Sequence, residues 1–316
     1  VCRVQHIGAA DLDAWLREPP PGDGTPLVVV DDVHALGPEV AAHLSGRPEV
    51  LVALGSDAGP LDLAVADEGE LHSLDEAVAA NPLASVALAV LLRGCEQRSV
   101  PEGLVAESAT YSLLQAGPEA LAWLATRGAR RARARPSVDP VRIERTDDLL
   151  TLTLHRPEVR NAFSAAMREA LLDGLAVALA DADVQVVLRG EGPAFCSGGD
   201  LDEFGTRSDP ATAHVVRLGR SVGRVLHEVA DRTIAHVHGA CVGAGVELPA
   251  FAGRVVAAPD SRFRLPELAM GLVPGAGGTA SLPRRIGRHR TAWLALTGAW
   301  LDVETALAWG LVDEIA

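Results

Sequence analysis

The stretch His238-Gly239-Ala240-Cys241-Val242-Gly243-Ala244-Gly245-Val246-Glu247-Leu248 restricts the fold of this chain more than any other. It follows a short apolar run, Ile234 to Val237, and consists mostly of small residues. A strand, a small-residue turn and a helix onset in that order belong to an α/β layer structure. Gly243, Ala244 and Gly245 carry no bulk, so a neighbour or a ligand can approach the backbone closely there. The first N–H groups of a helix have no partner within it and point outward, with the helix dipole behind them. Negative charge developing on a carbonyl oxygen would be stabilised at that spot. A helix packed tightly on its neighbour would use the same small residues, so the motif gains meaning only from its company.

That company is present. A second glycine turn, Ala194-Phe195-Cys196-Ser197-Gly198-Gly199-Asp200-Leu201, follows the apolar run Val184 to Leu188. A third stretch, Arg264-Leu265-Pro266-Glu267-Leu268, leads into Gly271-Leu272-Val273-Pro274-Gly275-Ala276-Gly277-Gly278-Thr279. Together they supply two strand-to-turn backbone sites and two carboxylates, Glu247 and Glu267. Two N–H donors converging on one oxygen, with an acid and a base alongside, suit chemistry next to an activated carbonyl.

Two regions are expected. Residues 1–136 contain buried strands at Leu27–Val30 and Val50–Leu54, helices over 74–92 broken at Pro82, and a short helix from Pro118 to Thr126. A turn-rich break falls at Pro19 to Gly24, and nothing in this region reads as chemistry. The run Gly128 to Pro136, with four arginines, reads as a solvated linker or helix end, with a phosphate-contacting arm as the sharper alternative. Residues 137–316 then read as a hairpin around Thr146-Asp147-Asp148, a helix over 164–179, a strand over 184–188 and a helix over 211–229. Short strands at 234–237, 255–258 and 263–265 and a mainly helical 289–310 complete the α/β alternation.

Charge removes one class of partner. The net charge of -14 argues against general nucleic-acid binding, although a local arginine cluster can still hold phosphates. The chain has no lysine, so every strong basic contact must come from its 28 arginines. Cys2, Cys95, Cys196 and Cys241 are scattered with no metal-ligand spacing, so neither a metal site nor a disulfide framework is expected. No apolar run reaches membrane-spanning length and no signal pattern opens the sequence, so the expected location is the cytoplasm, without membrane partners.

With its three ordered motifs the chain resembles the crotonase (enoyl-CoA hydratase/isomerase) superfamily from about Val141 to Ala316. The resemblance implies a spiral of ββα units, assembly as a homotrimer or homohexamer, and an acyl-CoA substrate, with coenzyme A as part of the substrate and no prosthetic group. It implies that the backbone N–H groups of Ser197 and Ala244 form an oxyanion hole, and that Glu247 and Glu267 are the two catalytic glutamates. Gly243 and Gly275 would border the substrate pocket. Arg160 would contact a CoA phosphate, and the loop at Asp200 and Leu201 would receive the adenine end. Retention of both glutamates favours reversible hydration of a 2-enoyl-CoA, with Glu247 ionised by its helix N-terminus and Glu267 protonated. The alternatives are isomerisation or dehydration in a specialised pathway, or an acyl-thioester-binding subunit without turnover.

Two departures and one displacement stand out. Pro249 falls inside the expected helix, where its missing N–H would break a bond to Gly245, and Gly253 stands where the family usually has Asp. The sequence ends at Glu314-Ile315-Ala316, where the family continues into helices over the active site. Asn81 through Leu124, including Glu102 to Ser108, resembles that tail. The N-terminal α/β region therefore reads as a permuted C-terminal cap, its earlier strands as a degenerate crotonase part.

Overall fold

Leu27-Val28-Val29-Val30 has no polar residue to turn toward water, and it forms a strand buried along its whole length. In the computed structural model, which describes residues 4–18, 26–31, 33, 43–44, 46–127, 139–206 and 209–316, this strand lies in a four-stranded parallel sheet. The sheet runs β1 (Gln5–Ile7), β2 (Leu27–Val30), β3 (Val50–Leu54) and β4 (Leu63–Val65), with α1 (Ala9–Arg17) between β1 and β2. Alternation settles which side chain goes where. Leu27, Val29, Val50 and Val52 join the main core, whereas Val28, Val30, Leu51 and Ala53 pack with Ile7 and Leu12 in a smaller cluster.

Four helices follow. α2 (Glu68–Ala80) and α3 (Pro82–Arg93) meet at 109°. Pro82 takes the start of α3, where a missing N–H costs nothing. α4 (Val100–Gln115) begins at a reciprocal Ser99–Glu102 capping box, and α5 (Pro118–Thr126) completes the series. No single described helix is long and apolar enough to cross a membrane, and the bent α2–α3 pair buries Leu71, Leu74, Leu88 and Leu92 inside the protein. The expected turn-rich break at 19–24 and the arginine run at 128–136 lie outside the described residues.

From Val141 the chain winds as a spiral. The hairpin β5 (Val141–Thr146) and β6 (Leu149–Leu154) pairs Thr146 with Leu149. α6 (Ala165–Ala180) and β7 (Gln185–Gly190) follow, then α7 (Pro210–Gly219), α8 (Val222–Glu228), β8 (Thr233–Val237), β9 (Ala240–Val242) and α9 (Ala244–Glu247). The last turn contains β10 (Arg254–Ala257), β11 (Arg262–Arg264), α10 (Gly278–Ile286), α11 (Arg288–Thr297), β12 (Leu301–Asp302), α12 (Val303–Trp309) and β13 (Glu314–Ile315). One sheet has the order β13-β10-β8-β7-β6-β5 and is parallel outside the hairpin. The second has the order β12-β11-β9. β8 passes straight into β9 and β10 into β11, so these two windings each contribute a strand to both sheets, and after β7 an isolated Cys196–Cys241 bridge takes the place of the second strand: the expected ββα repeat. Gly239 makes the corner between β8 and β9 at φ 55, where a Cβ would lie 2.3 Å from the Pro193 carbonyl oxygen.

Some local expectations need correction. The segment 211–229 is two helices, because the Ser221 side chain accepts the Arg224 N–H and caps a new start. The segment 289–310 is likewise divided by β12. Gly253 has no room for the family's Asp, since a Cβ there would lie 2.7 Å from the Ala230 carbonyl oxygen. The apolar core is continuous across both regions of the chain: Leu88 and Leu104 belong to the same cluster as Leu150, Leu188 and Leu282. Polar ties reinforce it, with Arg288 Nη1 donating to the Leu61 carbonyl at 2.8 Å and Arg284 Nη2 to the Arg98 carbonyl at 2.6 Å.

Candidate active site

The opening motif folds into a single helical turn. Gly243 adopts φ 50, and the N–H groups of Val246 and Glu247 both donate to its carbonyl oxygen. Leu248 closes α9 by donating to the Ala244 carbonyl oxygen at 3.1 Å. The helical turn ends at Glu247 and Pro249 begins a 3-10 turn, Pro249–Phe251, so Pro249 lies outside the helix and interrupts none of its bonds. The Ala244 N–H, at the start of the turn, has no hydrogen-bond acceptor among the described residues. Gly245 allows close stacking on the preceding winding, since a Cβ there would lie 2.4 Å from the Cys196 carbonyl oxygen.

The second turn supplies a different donor from the one expected. Ser197 donates its N–H to the Arg160 carbonyl oxygen at 3.0 Å and its hydroxyl to that of Val159 at 3.3 Å. It does not border the cavity beside Glu247. Residue 199 bridges in parallel to Phe163, through Phe163 N–H to Gly198 and Asp200 N–H to Phe163. That pattern leaves the Gly199 N–H without an acceptor among the described residues, and Gly199 does border the cavity. The two donor turns touch: a Cβ on Gly243 would lie 3.5 Å from the Gly198 Cα. The backbone pair available to one oxygen is therefore Gly199 and Ala244, because the Ser197 amide is already spent.

Three carboxylates gather around the third motif. Glu247 Oε2 accepts the N–H groups of Ala276 at 2.7 Å and Gly278 at 2.8 Å. From the other side Glu107 of α4 accepts the Gly277 N–H at 2.7 Å, and the Thr279 N–H and hydroxyl at 2.8 and 2.7 Å. Four successive N–H groups thus alternate between two carboxylates from distant parts of the chain. Gly277, at φ 112, makes this possible. Glu267 opens a 3-10 turn, Glu267–Met270; its Oε1 sits where a Gly243 Cβ would be, at 2.4 Å, and its Oε2 is buried without a partner among the described residues.

Burial raises all three carboxyls. Glu247 is pushed up to about 7, held back by the N–H groups of Gly278 and Ala276. Glu107 is pushed up to about 8 by burial and the Glu247 charge, against its bonds to Thr279 and Gly277. Burial and then the Glu247 charge lift Glu267 well above the ordinary carboxylate range. Glu247 is accordingly the first to ionise. The donors that favour its charge come from the start of α10, not from its own one-turn helix as expected.

Glu247, Glu267, Gly199 and Ala244 border one cavity of about 500 Å³, whose other wall includes Leu104, Glu107 and Tyr111 of α4. The N-terminal region, which reads as devoid of chemistry, thus supplies part of the site. A trace of this exists in the sequence: Glu107 falls on the buried stripe Val100, Gly103, Leu104, Ser108 and Leu114, a position a lone carboxylate does not take without partners. Gly275 borders the cavity and seats Tyr111, whose ring lies 2.5 Å from where a Cβ would be; Gly243 seats Glu267 from outside the cavity wall.

Of the three residues assigned to CoA, Asp200 borders the cavity and Arg160 and Leu201 do not. Arg160 is exposed at φ 53, with its carbonyl taken by Ser197. The Asp200 side chain is buried against Arg156 Nη1 at 3.0 Å, so its carboxylate anchors the turn at the edge of the cavity. Leu201 is exposed and outside the cavity wall. Cys196 and Cys241 are buried and free, and burial pushes the Cys196 thiol up to about 12.

This fold and site define an α/β protein in which two unpaired backbone amides and three buried glutamates border one cavity. The family model described as enoyl-CoA hydratase/isomerase matches residues 144–316, and the chain belongs to that family. It is 34% identical over 174 residues to the 2,3-dehydroadipyl-CoA hydratase of Escherichia coli (strain K12), covering 55% of this chain and 68% of that protein. It is 35% identical over 175 residues to the 1,2-epoxyphenylacetyl-CoA isomerase of the same organism, covering 53% of this chain and 66% of that protein. The enoyl-CoA hydratase structure from Thermoplasma volcanium GSS1 matches with a TM-score of 0.53 and 33% identity, over 57% of this chain and 72% of that one. The matched region is therefore about two thirds of each relative.

Proposed function

We propose that this site adds water reversibly across the double bond of a 2-enoyl-CoA thioester. The reading rests on one observation: two buried carboxyls with separated proton affinities face the same cavity as two unpaired amides. The thioester oxygen sits between the N–H groups of Gly199 and Ala244, which stabilise the enolate as it forms. One such donor is worth roughly 2.7–4 kcal/mol of barrier. Ionised Glu247 takes a proton from the water attacking C3, and protonated Glu267 gives one to C2. One water is consumed, the carboxyls exchange protonation states, and proton exchange with solvent restores them. Assembly as a homotrimer or homohexamer belongs to the same reading, and sedimentation velocity checks it.

The pH dependence follows from the order of ionisation. Activity rises with pH through about 7 as Glu247 loses its proton. It falls only at higher pH, where Glu267 loses the proton it must donate. The test is loss of enoyl-thioester absorbance with crotonyl-CoA and longer 2-enoyl-CoAs, for the native chain beside Glu247→Gln and Glu267→Gln. Each variant is expected to lose about 10²–10⁴-fold in kcat with folding intact. Unchanged hydration in Glu267→Gln would remove that residue from the mechanism. A shifted double bond without a 3-hydroxyacyl product would assign isomerisation instead.

A further inference from the structure

One wall of the cavity is not suited to a plain hydrocarbon. α4 and α7 face each other there, and Arg217 lines it as a half-buried cation. Its Nε donates to Ser108 Oγ at 3.2 Å, its Nη2 to the Ser108 carbonyl at 3.5 Å and to Ser112 Oγ. Its guanidinium lies over the Tyr111 ring, 4.6 Å from the centroid. Among the described residues no carboxylate forms an ion pair with it, and its Nη1 has no hydrogen-bond partner. Glu107, the carboxylate that acts on it through space, has both oxygens committed to Gly277 and Thr279.

Two more polar groups are left open on the same wall. The hydroxyl of Tyr111, the single tyrosine of the chain, has no hydrogen-bond partner among the described residues. Burial raises its pKa far beyond the usual phenol value, so it remains a proton donor. Gln115 Oε1 is buried without a partner and also borders the cavity. A ligand that covered this wall with methylenes would leave Arg217 Nη1, the Tyr111 hydroxyl and Gln115 Oε1 without hydrogen bonds away from water, a costly arrangement. A site built to meet polar groups rejects the analogue that lacks them.

We infer that the acyl chain bound here ends in a carboxylate, which Arg217 and Tyr111 recognise on the α4–α7 wall of the cavity. This rests on the acyl-thioester reading of the site. Gln115 takes the remaining hydrogen bond, its amide turning either face to the carboxylate or to a water beside it. Arg217 is a specificity residue, since it contacts neither the reacting carbons nor the two glutamates.

The test uses saturated thioesters, which bind without turnover. Adipoyl-CoA is titrated calorimetrically beside hexanoyl-CoA, with glutaryl-CoA beside pentanoyl-CoA and suberoyl-CoA beside octanoyl-CoA to cover the depth of the cavity. For at least one length the ω-carboxylate is expected to tighten binding about tenfold or more, as a charge-assisted hydrogen bond would. That ratio should fall toward one in Arg217→Met, survive in part in Arg217→Lys, and drop several-fold in Tyr111→Phe, which deletes only the hydroxyl. Equal binding of both members of every pair by the native chain overturns the inference while sustaining the thioester reading. Binding of none of them overturns both. Equal weakening of free CoA and all thioesters in Arg217→Met overturns it too, by placing Arg217 on the CoA phosphates.

Discussion

Ser197 and Gly199 are two residues apart, yet only the Ser197 amide is spent on a backbone carbonyl, which shows how finely a backbone donor depends on local pairing. The resemblance points to this turn but does not say which of its amides stays free; the Phe163 bridge decides that. Glu107 escaped notice for a different reason: its partners lie 170 and 172 residues away, beyond any local pattern. Glu247 and Glu267 were legible because their motifs are contiguous. Replacing Glu107 with Leu strands the N–H groups of Gly277 and Thr279 and the Thr279 hydroxyl, at about 1–3 kcal/mol for each buried group. Urea denaturation should show a loss of that order, with Glu107→Gln recovering part of it. In both variants kcat for the enoyl-thioester should fall more than KM rises, because the slackened turn also holds Glu247.

At the level of elements, the glycines around the carboxylates are seats rather than hinges. Gly278 begins α10, where a Cβ would meet Glu247 Cγ at 2.7 Å, and Gly243 faces Glu267 Oε1 at 2.4 Å. Gly243→Ala adds a left-handed backbone conformation to that clash, so it should cost about 1–3 kcal/mol and displace Glu267. Thermal denaturation beside crotonyl-CoA turnover checks this, and full activity would refute it. Element identity was largely readable: Pro82 divides α2 from α3 as expected, and the β5–β6 hairpin turns at Asp147 and Asp148 as expected. The division of 211–229 was not, because apolar spacing persists across Arg220-Ser221 and only the Ser221 cap interrupts it.

Over the whole molecule, burying three carboxyls sets a pH dependence of stability. Each keeps its proton in the folded chain above the ordinary value of 4.5, where the unfolded chain has already released it. The unfolded state then binds fewer protons, so stability should fall as pH rises from about 5 to about 8. The acids lowered by local hydrogen bonds, such as Asp181 and Asp209, act below that window. The melting temperature should be higher at about pH 5.5 than at about pH 8.5, and the gap should shrink in Glu267→Gln. A flat profile would mean that these carboxyls are already ionised. Truncation to residues 137–316 would uncover the core surface that packs on Leu88 and Leu104 and delete Glu107 and Tyr111. That fragment should aggregate and bind hydrophobic dyes; a soluble, fully active one would show that the N-terminal region is no cap.

The turn of four amides shared by Glu107 and Glu247 also bears on the order in which the protein matures. During synthesis Glu107 is made 170 residues before Gly277, so one side of this clasp must wait for the other. Contacts of such separation close late, after local helices and hairpins have formed. Catalytic competence should therefore be among the last properties gained on refolding, trailing far-ultraviolet circular dichroism. A nascent chain released before α10 has docked would be helical, compact and inert.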